Sequence, residues 1–251
     1  MTTKIPASGK VQIICGKEQL NLLDKVSALR KRVWPDFLRL ADEIVFKMYE
    51  LYPDFQISLL DGNNELIGIA NSIPLIWKKP LFALSDEGVS WVVNTGLYEK
   101  YPIESTNLLC AISITVSDTH RNKGLSKMLL QYLKNSAWKR NFISLVIPVR
   151  PSLKSIYPLI PIDEYVMWQN KDGLIFDPWI KTHLNLGARI VKICHRSACV
   201  TASSSQWEEW AGMHFPGDGD YVVKDALAPV KFVNDIGTYV EPNLWVYYPN
   251  D

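Results

Sequence analysis

The segment Arg121-Asn122-Lys123-Gly124-Leu125-Ser126 carries the clearest chemistry in the sequence. It follows a buried apolar run, Leu108–Val116, and the polar stretch Ser117–Lys123. Beyond it Leu125, Met128, Leu129, Tyr132 and Leu133 fall at the spacing of one helical stripe. A helix start offers about four backbone N–H groups without internal partners and the positive end of the helix dipole, which together suit an anion such as a pyrophosphate. Gly124 has no Cβ to hold a phosphate away from the backbone, and Ser126 is small for the same reason. Arg121 and Lys123 add positive charge at the mouth. A plain strand-to-helix turn with a basic, solubilising tip would use the same residues, and local chemistry alone divides evenly between the two.

Other reactive side chains point less far. Cys110 lies mid-strand without a histidine partner in the sequence, which suits a buried thiol better than a nucleophile. Cys194 and Cys199 have His195 nearby, but zinc usually takes four ligands at tighter spacings, so no metal site is expected. Asp42, Glu43 and Glu50 read as solvated charges of a helix, and Glu104 stands just upstream of the central strand. Each could act as a base through a water.

The elements around the turn follow from periodicity. Val11–Cys15 is a short strand, and Glu18–Val33 and Phe37–Leu51 read as helices separated at Pro35. Phe55–Leu60 and Leu66–Trp77 form a hairpin across the turn Asp61–Asn64. Lys78–Ser105 is an excursion from the sheet in which Ser85–Tyr98 reads as a capped helix. The helix after Gly124 ends near Asn141, and Phe142–Ile147 is a further buried strand stopped by Pro148. Strand, helix and strand at this spacing make a right-handed crossover with parallel or near-parallel strands, hence an α/β protein with a mixed sheet. Val149–Gly173 is rich in proline and aromatics without a period. Phe176–Leu186 is a helix closed by Gly187, and Ala188–Cys194 a strand. Cys199–Ala202, Tyr221–Val223, Ala228–Phe232 and Leu244–Tyr248, with a short helix Trp207–Gly212, add strands to the sheet or a small lobe beside it.

Composition bounds the function. The 251 residues are 47% apolar and 21% charged with a net charge of +1, enough for a sizeable core and too balanced for a dedicated nucleic-acid binder. No apolar run nears the roughly 18 residues of a membrane span. The N-terminal stretch through Lys4, Pro6, Ser8 and Gly9 does not read as a signal peptide, and four scattered cysteines do not make a disulfide framework, so the cytoplasm is the expected compartment. No internal repeat divides the chain, which reads as a single domain over residues 1–251.

Ile114-Thr115-Val116 followed by Arg121-x-x-Gly124-x-Ser126 resembles the acyl-CoA-binding signature of the GCN5-related N-acetyltransferases, Arg/Gln-x-x-Gly-x-Gly/Ala after a strand. The flanks agree: two helices after the first strand, then a hairpin, then the motif strand. His183-x-x-x-Gly187-Ala188 stands in the place of the family's helix-closing Tyr-x-x-x-Gly-Phe. The resemblance covers residues 11–194, leaving 195–251 as an extension that could form a pocket wall or the contact of a homodimer. It implies the family's acyltransferase fold with extra C-terminal strands, and acetyl-CoA or another acyl-CoA as co-substrate without a metal. In that reading Ile114, Thr115 and Val116 bond pantetheine, while Arg121, Asn122, Lys123, Gly124, Leu125 and Ser126 hold the pyrophosphate. The acceptor is the amine of a small molecule, because Val149–Gly173 and the extension would roof the groove that peptide-modifying relatives leave open. Three departures stand out: Ser126 for Gly or Ala, the insertion Val149–Gly173, and His183, the candidate catalytic acid here, for the tyrosine that protonates the departing thiolate. A helix C-terminus would favour the charged form of that histidine. Two rival readings remain compatible with the residues, a non-catalytic acyl-CoA sensor and an enzyme taking its acyl group from a carrier protein.

Overall fold

Among the described residues, alternation and long apolar runs make ten strands, and they join in one sheet. A computed structural model describes residues 3–5, 11–99 and 101–250; Pro6, Ser8 and Gly9 lie outside the described residues. The strands are β1 (Thr3–Ile5), β2 (Val11–Cys15), β3 (Gln56–Leu60), β4 (Leu66–Leu75), β5 (Leu108–Val116), β6 (Ser144–Val149), β7 (Arg189–Ser203), β8 (Gly219–Tyr221), β9 (Val230–Val233) and β10 (Ile236–Pro249). The helices are α1 (Leu23–Val33), α2 (Asp42–Leu51), α3 (Gly88–Tyr98), α4 (Leu125–Lys139), α5 (Ile162–Tyr165), α6 (Pro178–Asn185) and α7 (Ser204–Ala211). No described helix is long and apolar enough to cross a membrane.

The sheet runs β1-β2-β3-β4-β5-β6-β10-β9-β8, with β7 also paired to β10. Among the described residues only β5 and β6 pair in parallel, joined through α4 as the crossover spacing requires. The hairpin β3–β4 is as expected, and all of its strand residues are buried. Helices α1 and α4 pack on β4 and β5, while α3 packs on β4 and β7. The stripe Leu125, Leu129 and Leu133 is buried in the main core, which explains why α4 forms where its period says it should.

Three segments differ from the reading of the sequence. Residues 17–22 form a tight 3-10 turn rather than the start of α1, because the buried Gln19 amide donates to the carbonyls of Pro53 and Gln56 and accepts from Ser58. The second helix begins at Asp42, not Phe37. Phe37 is drawn away into a separate apolar cluster, with its ring 5.4 Å from both Trp207 and Tyr239. Pro148 lies inside β6 instead of ending it. The last β5 partner is Val146, so Pro148 falls where β6 has lost its ladder on one side and a missing N–H is tolerated.

The C-terminal residues are not an appendage. Leu244–Pro249 of β10 pair with β6 on one side, and β7 pairs with β10 along most of its length on the other. A strand from beyond residue 194 therefore completes the middle of the sheet. Its first half, together with β8, β9, α7 and the end of β7, encloses the second cluster and forms a lobe beside the main core. The insertion before α6 packs onto the main core through an aromatic group, in which Tyr157, Tyr165, Trp168 and Phe176 have ring centroids 5.0 Å (Tyr157 to Trp168) to 6.2 Å (Tyr157 to Tyr165) apart. Buried Asp177 fastens it, accepting from the Tyr165 hydroxyl, from Leu153 N–H, and from Trp179 and Ile180 N–H as the N-cap of α6.

Candidate active site

The site begins where two parallel strands part. β5 and β6 pair at Leu108–Ser144, Leu109–Leu145 and Cys110–Val146, and at no register beyond. At the same level the β4–β5 register shifts: Ser113 faces Asn71 while Ala111 faces Ser72, leaving Ile112 as an extra residue. Such a bulge bends its strand. β5 continues with β4, β6 continues with β10, and a wedge opens between them. It forms a cleft of about 640 Å³ whose walls include Ala111–Ile114 and Ile147–Val149.

At the far end of β5 the chain turns into α4 through two left-handed residues, Asn122 (φ 61°) and Gly124 (φ 74°). Among the described residues the backbone N–H groups of Asn122 to Ser126 make no backbone hydrogen bond, and the first in this stretch to do so is Met128, to the Gly124 carbonyl. A Cβ built on Gly124 meets nothing within 4 Å, so the space before these N–H groups is open. Arg32 braces the turn, donating to Ser117 Oγ at 2.9 Å and pairing with Asp118 at 3.0 Å. The signature residues divide accordingly. Ile114 and Arg121 line the cleft, and Asn122–Ser126 follow at the start of α4. The Thr115 hydroxyl is taken by Trp34 Nε1 at 2.8 Å, and Val116 pairs with Gly68 of β4.

His183 reaches the cleft from α6 and is fully buried. Its Nδ1 is 2.8 Å from the Tyr248 hydroxyl, the Trp179 ring packs edge-on at 4.5 Å, and Nε2 has no partner among the described residues. Burial lowers its pKa to about 3, with Asp177 pulling weakly the other way. Burial thus outweighs the helix C-terminus, and the imidazole is neutral rather than charged as its position in the sequence suggested.

The cleft also holds residues that sequence reasoning missed. Asn71 accepts from Ser113 Oγ at 2.9 Å. Asn243 donates to Ser197 Oγ at 2.8 Å and to the Pro148 carbonyl at 3.3 Å, while its Oδ1 is buried without a partner. Glu241 is 2% exposed; its Oε1 lies 2.7 Å from Arg150 Nε, and the Tyr239 hydroxyl donates to its Oε2. Burial pushes the Glu241 carboxyl above the ordinary range, with Arg150 opposing. Close by, the Lys154 ammonium donates to the Tyr157 and Leu227 carbonyls, and burial lowers its pKa to about 8. A lone carboxylate inside the apolar run Tyr239–Tyr248 was the available signal for Glu241.

The remaining sequence candidates stand apart. Asp42 pairs with Arg30 at 2.7 Å, and Glu43, Glu50 and Glu104 are exposed and outside the cleft lining. Cys110 is buried and its thiol pushed up by burial. Cys194 donates to the Asp86 carbonyl, His195 turns to Asp163 at 3.2 Å, and Cys199 is exposed, so the three do not converge.

No family model matches the chain. Arginine N-acetyltransferase avaD of Aspergillus versicolor is 30% identical to it, with 86% of this chain and 85% of that one covered. The chain belongs to the GCN5-related N-acetyltransferase superfamily. Two solved structures share the fold of this GCN5-related acetyltransferase over nearly its whole length. One is the loading GNATL domain of CurA from Lyngbya majuscula, with a TM-score of 0.65 and 18% identity, covering 95% of this chain and 97% of that one. The other is the GphF GNAT-like decarboxylase in complex with isobutyryl-CoA, with a TM-score of 0.64 and 19% identity, covering 94% and 98%. As a member of this superfamily the protein is an acyltransferase, and its co-substrate is an acyl-CoA.

Proposed function

We propose that the protein moves an acetyl or other acyl group from coenzyme A to a nitrogen of a small cationic acceptor, arginine or a molecule like it. The observation that carries this reading is the wedge between β5 and β6, whose cleft runs from Arg121, next to the N–H groups of Asn122–Ser126 at the start of α4, to the buried polar residues Glu241 and Asn243 of β10. The relative's name, arginine N-acetyltransferase, supports the acceptor class.

The parts fit an acyl-CoA. Outward-facing backbone groups among Ile114, Thr115 and Val116 bond the pantetheine arm in place of a neighbouring strand. The N–H groups from Asn122 to Ser126 hold the pyrophosphate, with Arg121 and Lys123 lowering its charge and Gly124 leaving room for it. The acceptor nitrogen, in its neutral form, attacks the thioester carbonyl carbon; a C–N bond forms, the C–S bond breaks, and the proton that the nitrogen sheds passes through solvent to the departing thiolate, giving free thiol. Holding both reactants in one cleft supplies the proximity that the reaction needs. His183 presents a neutral Nε2–H toward the sulfur, stabilising the charge that develops there. Lys224, Asp225, Arg150 and Ser152 close the cleft from the lobe and the insertion, which favours a small acceptor over an extended peptide.

Incubation of the protein with acetyl-CoA and L-arginine, followed by thiol titration and mass spectrometry, tests the proposal. Equal amounts of free thiol and acetylated amine are expected. Tight acetyl-CoA binding without thiol release would mark a sensor instead, and acylation of unstructured peptides without activity on small amines would overturn the acceptor class. Turnover with a carrier-bound acyl group and none with acetyl-CoA would move the donor to a carrier protein.

A further inference from the structure

We infer that Glu241 and Asn243 of β10 form the pocket for the acceptor's cationic nitrogen group, an inference that rests on the acyltransferase reading above. The argument is one of unfilled acceptors. Two buried oxygens in the cleft wall, Glu241 Oε1 and Asn243 Oδ1, have no hydrogen-bond donor among the described residues. Of the groups around them only Arg150 meets one, its Nε forming an ion pair with Oε1 at 2.7 Å while its Nη2 donates to the Asp225 carbonyl. Lys154 serves two backbone carbonyls, and the Tyr239 hydroxyl serves Oε2. Ser197 Oγ meets Asn243 as an acceptor, taking hydrogen bonds from Asn243 Nδ2 and Val89 N–H.

Both residues line the cleft, buried, beside an irregularity of the ladder. Between Glu241 and Asn243 the partners on β7 jump from Ala198 to Cys194, so the ladder is broken at this point. Buried acceptors left without donors are costly, and a ligand that brings several N–H groups removes that cost at both atoms together. A guanidinium or an ammonium does so; a carboxylate cannot. Arg150 and Lys154 also face Glu241, so the incoming cation shares one carboxylate with them. Selection therefore depends on the number of N–H donors as well as on charge.

Calorimetric titration of L-arginine and of L-citrulline, its neutral analogue of nearly the same shape, into the protein with coenzyme A present tests this. Wild type should bind arginine more tightly. Glu241→Gln should shrink that preference by about 10- to 100-fold, the worth of one charged hydrogen bond, and leave acetyl-CoA affinity unchanged. Asn243→Asp, which adds a second charge in the same shape, should widen the preference. A folded Glu241→Gln with the wild-type preference overturns the inference, as does a wild type that does not distinguish the two ligands. Should Glu241→Gln fail to fold, Asn243→Asp decides: an unchanged or narrowed preference overturns it. Failure of the acyltransferase reading is seen separately, as a wild type that releases no thiol with any amine.

Discussion

The Nδ1 atom of His183 lies 2.8 Å from the hydroxyl of Tyr248, so that α6 is tied to the central strand β10 at the floor of the cleft. The hydroxyl also lies 3.5 Å from the His183 carbonyl, to which it can donate while accepting from Nδ1–H, so the contact by itself is compatible with either neutral tautomer. The proposed role takes the tautomer in which the hydroxyl donates to Nδ1 and the ring's own proton sits on Nε2, the nitrogen without a partner among the described residues.

Removing that donor should slow the chemical step and spare binding. His183→Ala is expected to lower kcat by about 10²–10³-fold, as for the loss of one preorganised donor, with little change in acetyl-CoA Kd. Tyr248→Phe, which frees Nδ1 to carry the proton, should give a smaller loss. Steady-state kinetics with chemistry rate-limiting checks both. Near-wild-type turnover in folded His183→Ala would leave the ring a packing role.

Stability should carry the same signature. With a native pKa of about 3, His183 stays neutral where the unfolded chain's histidine, near 6.5, takes up a proton. Between those values the unfolded state binds more protons, so stability rises with pH and is lost as pH falls through the window. Glu241, whose carboxyl burial pushes up, acts in the opposite sense, so the comparison must be made between variants. The stability advantage of wild type over His183→Gln should shrink by roughly 1.4 kcal/mol per pH unit below about pH 6.5. Urea unfolding at a series of pH values measures it; a difference independent of pH would contradict the buried neutral ring.

Phe37 links the α1–α2 connection to the C-terminal lobe through Trp207 and Tyr239. Phe37→Ala should cost about 3–5 kcal/mol of stability, as for a buried aromatic. It should also raise the acceptor's KM more than that of acetyl-CoA, because Pro35, Leu38 and Arg39 beside it line the cleft. Thermal melting and initial-rate kinetics give both readings, and an unchanged acceptor KM would separate the lobe from the site.

Local patterns in the sequence carried the parts of the fold that depend on near neighbours. The stripe Leu125, Met128, Leu129, Tyr132 and Leu133 placed α4, Gly124 placed its start, and the polar Asp61–Asn64 placed the hairpin. What escaped depends on contacts made across the chain. Gln19 unwinds the first turn of α1 because it finds Pro53, Gln56 and Ser58. Phe37 leaves the helical path for partners near the C-terminus. The insertion of β10 between β6 and β7 is a matter of strand order, which no local period encodes, and with it Glu241 and Asn243 entered the cleft unseen. The spacing of His183 from Gly187 was legible, but its charge state was not, since Trp179 and Tyr248 set it.

Titration calorimetry of acetyl-CoA against wild type and Gly124→Asn bears most directly on the cleft as an acyl-CoA site. Asparagine tolerates the left-handed backbone that Gly124 adopts at φ 74°, and its side chain would enter the open space before the N–H groups of α4. Single-site binding by wild type is expected, with affinity weakened about tenfold or more in Gly124→Asn and a melting temperature within about 5 °C. Equal affinity in the two folded proteins would mean that the pyrophosphate does not sit at Asn122–Ser126.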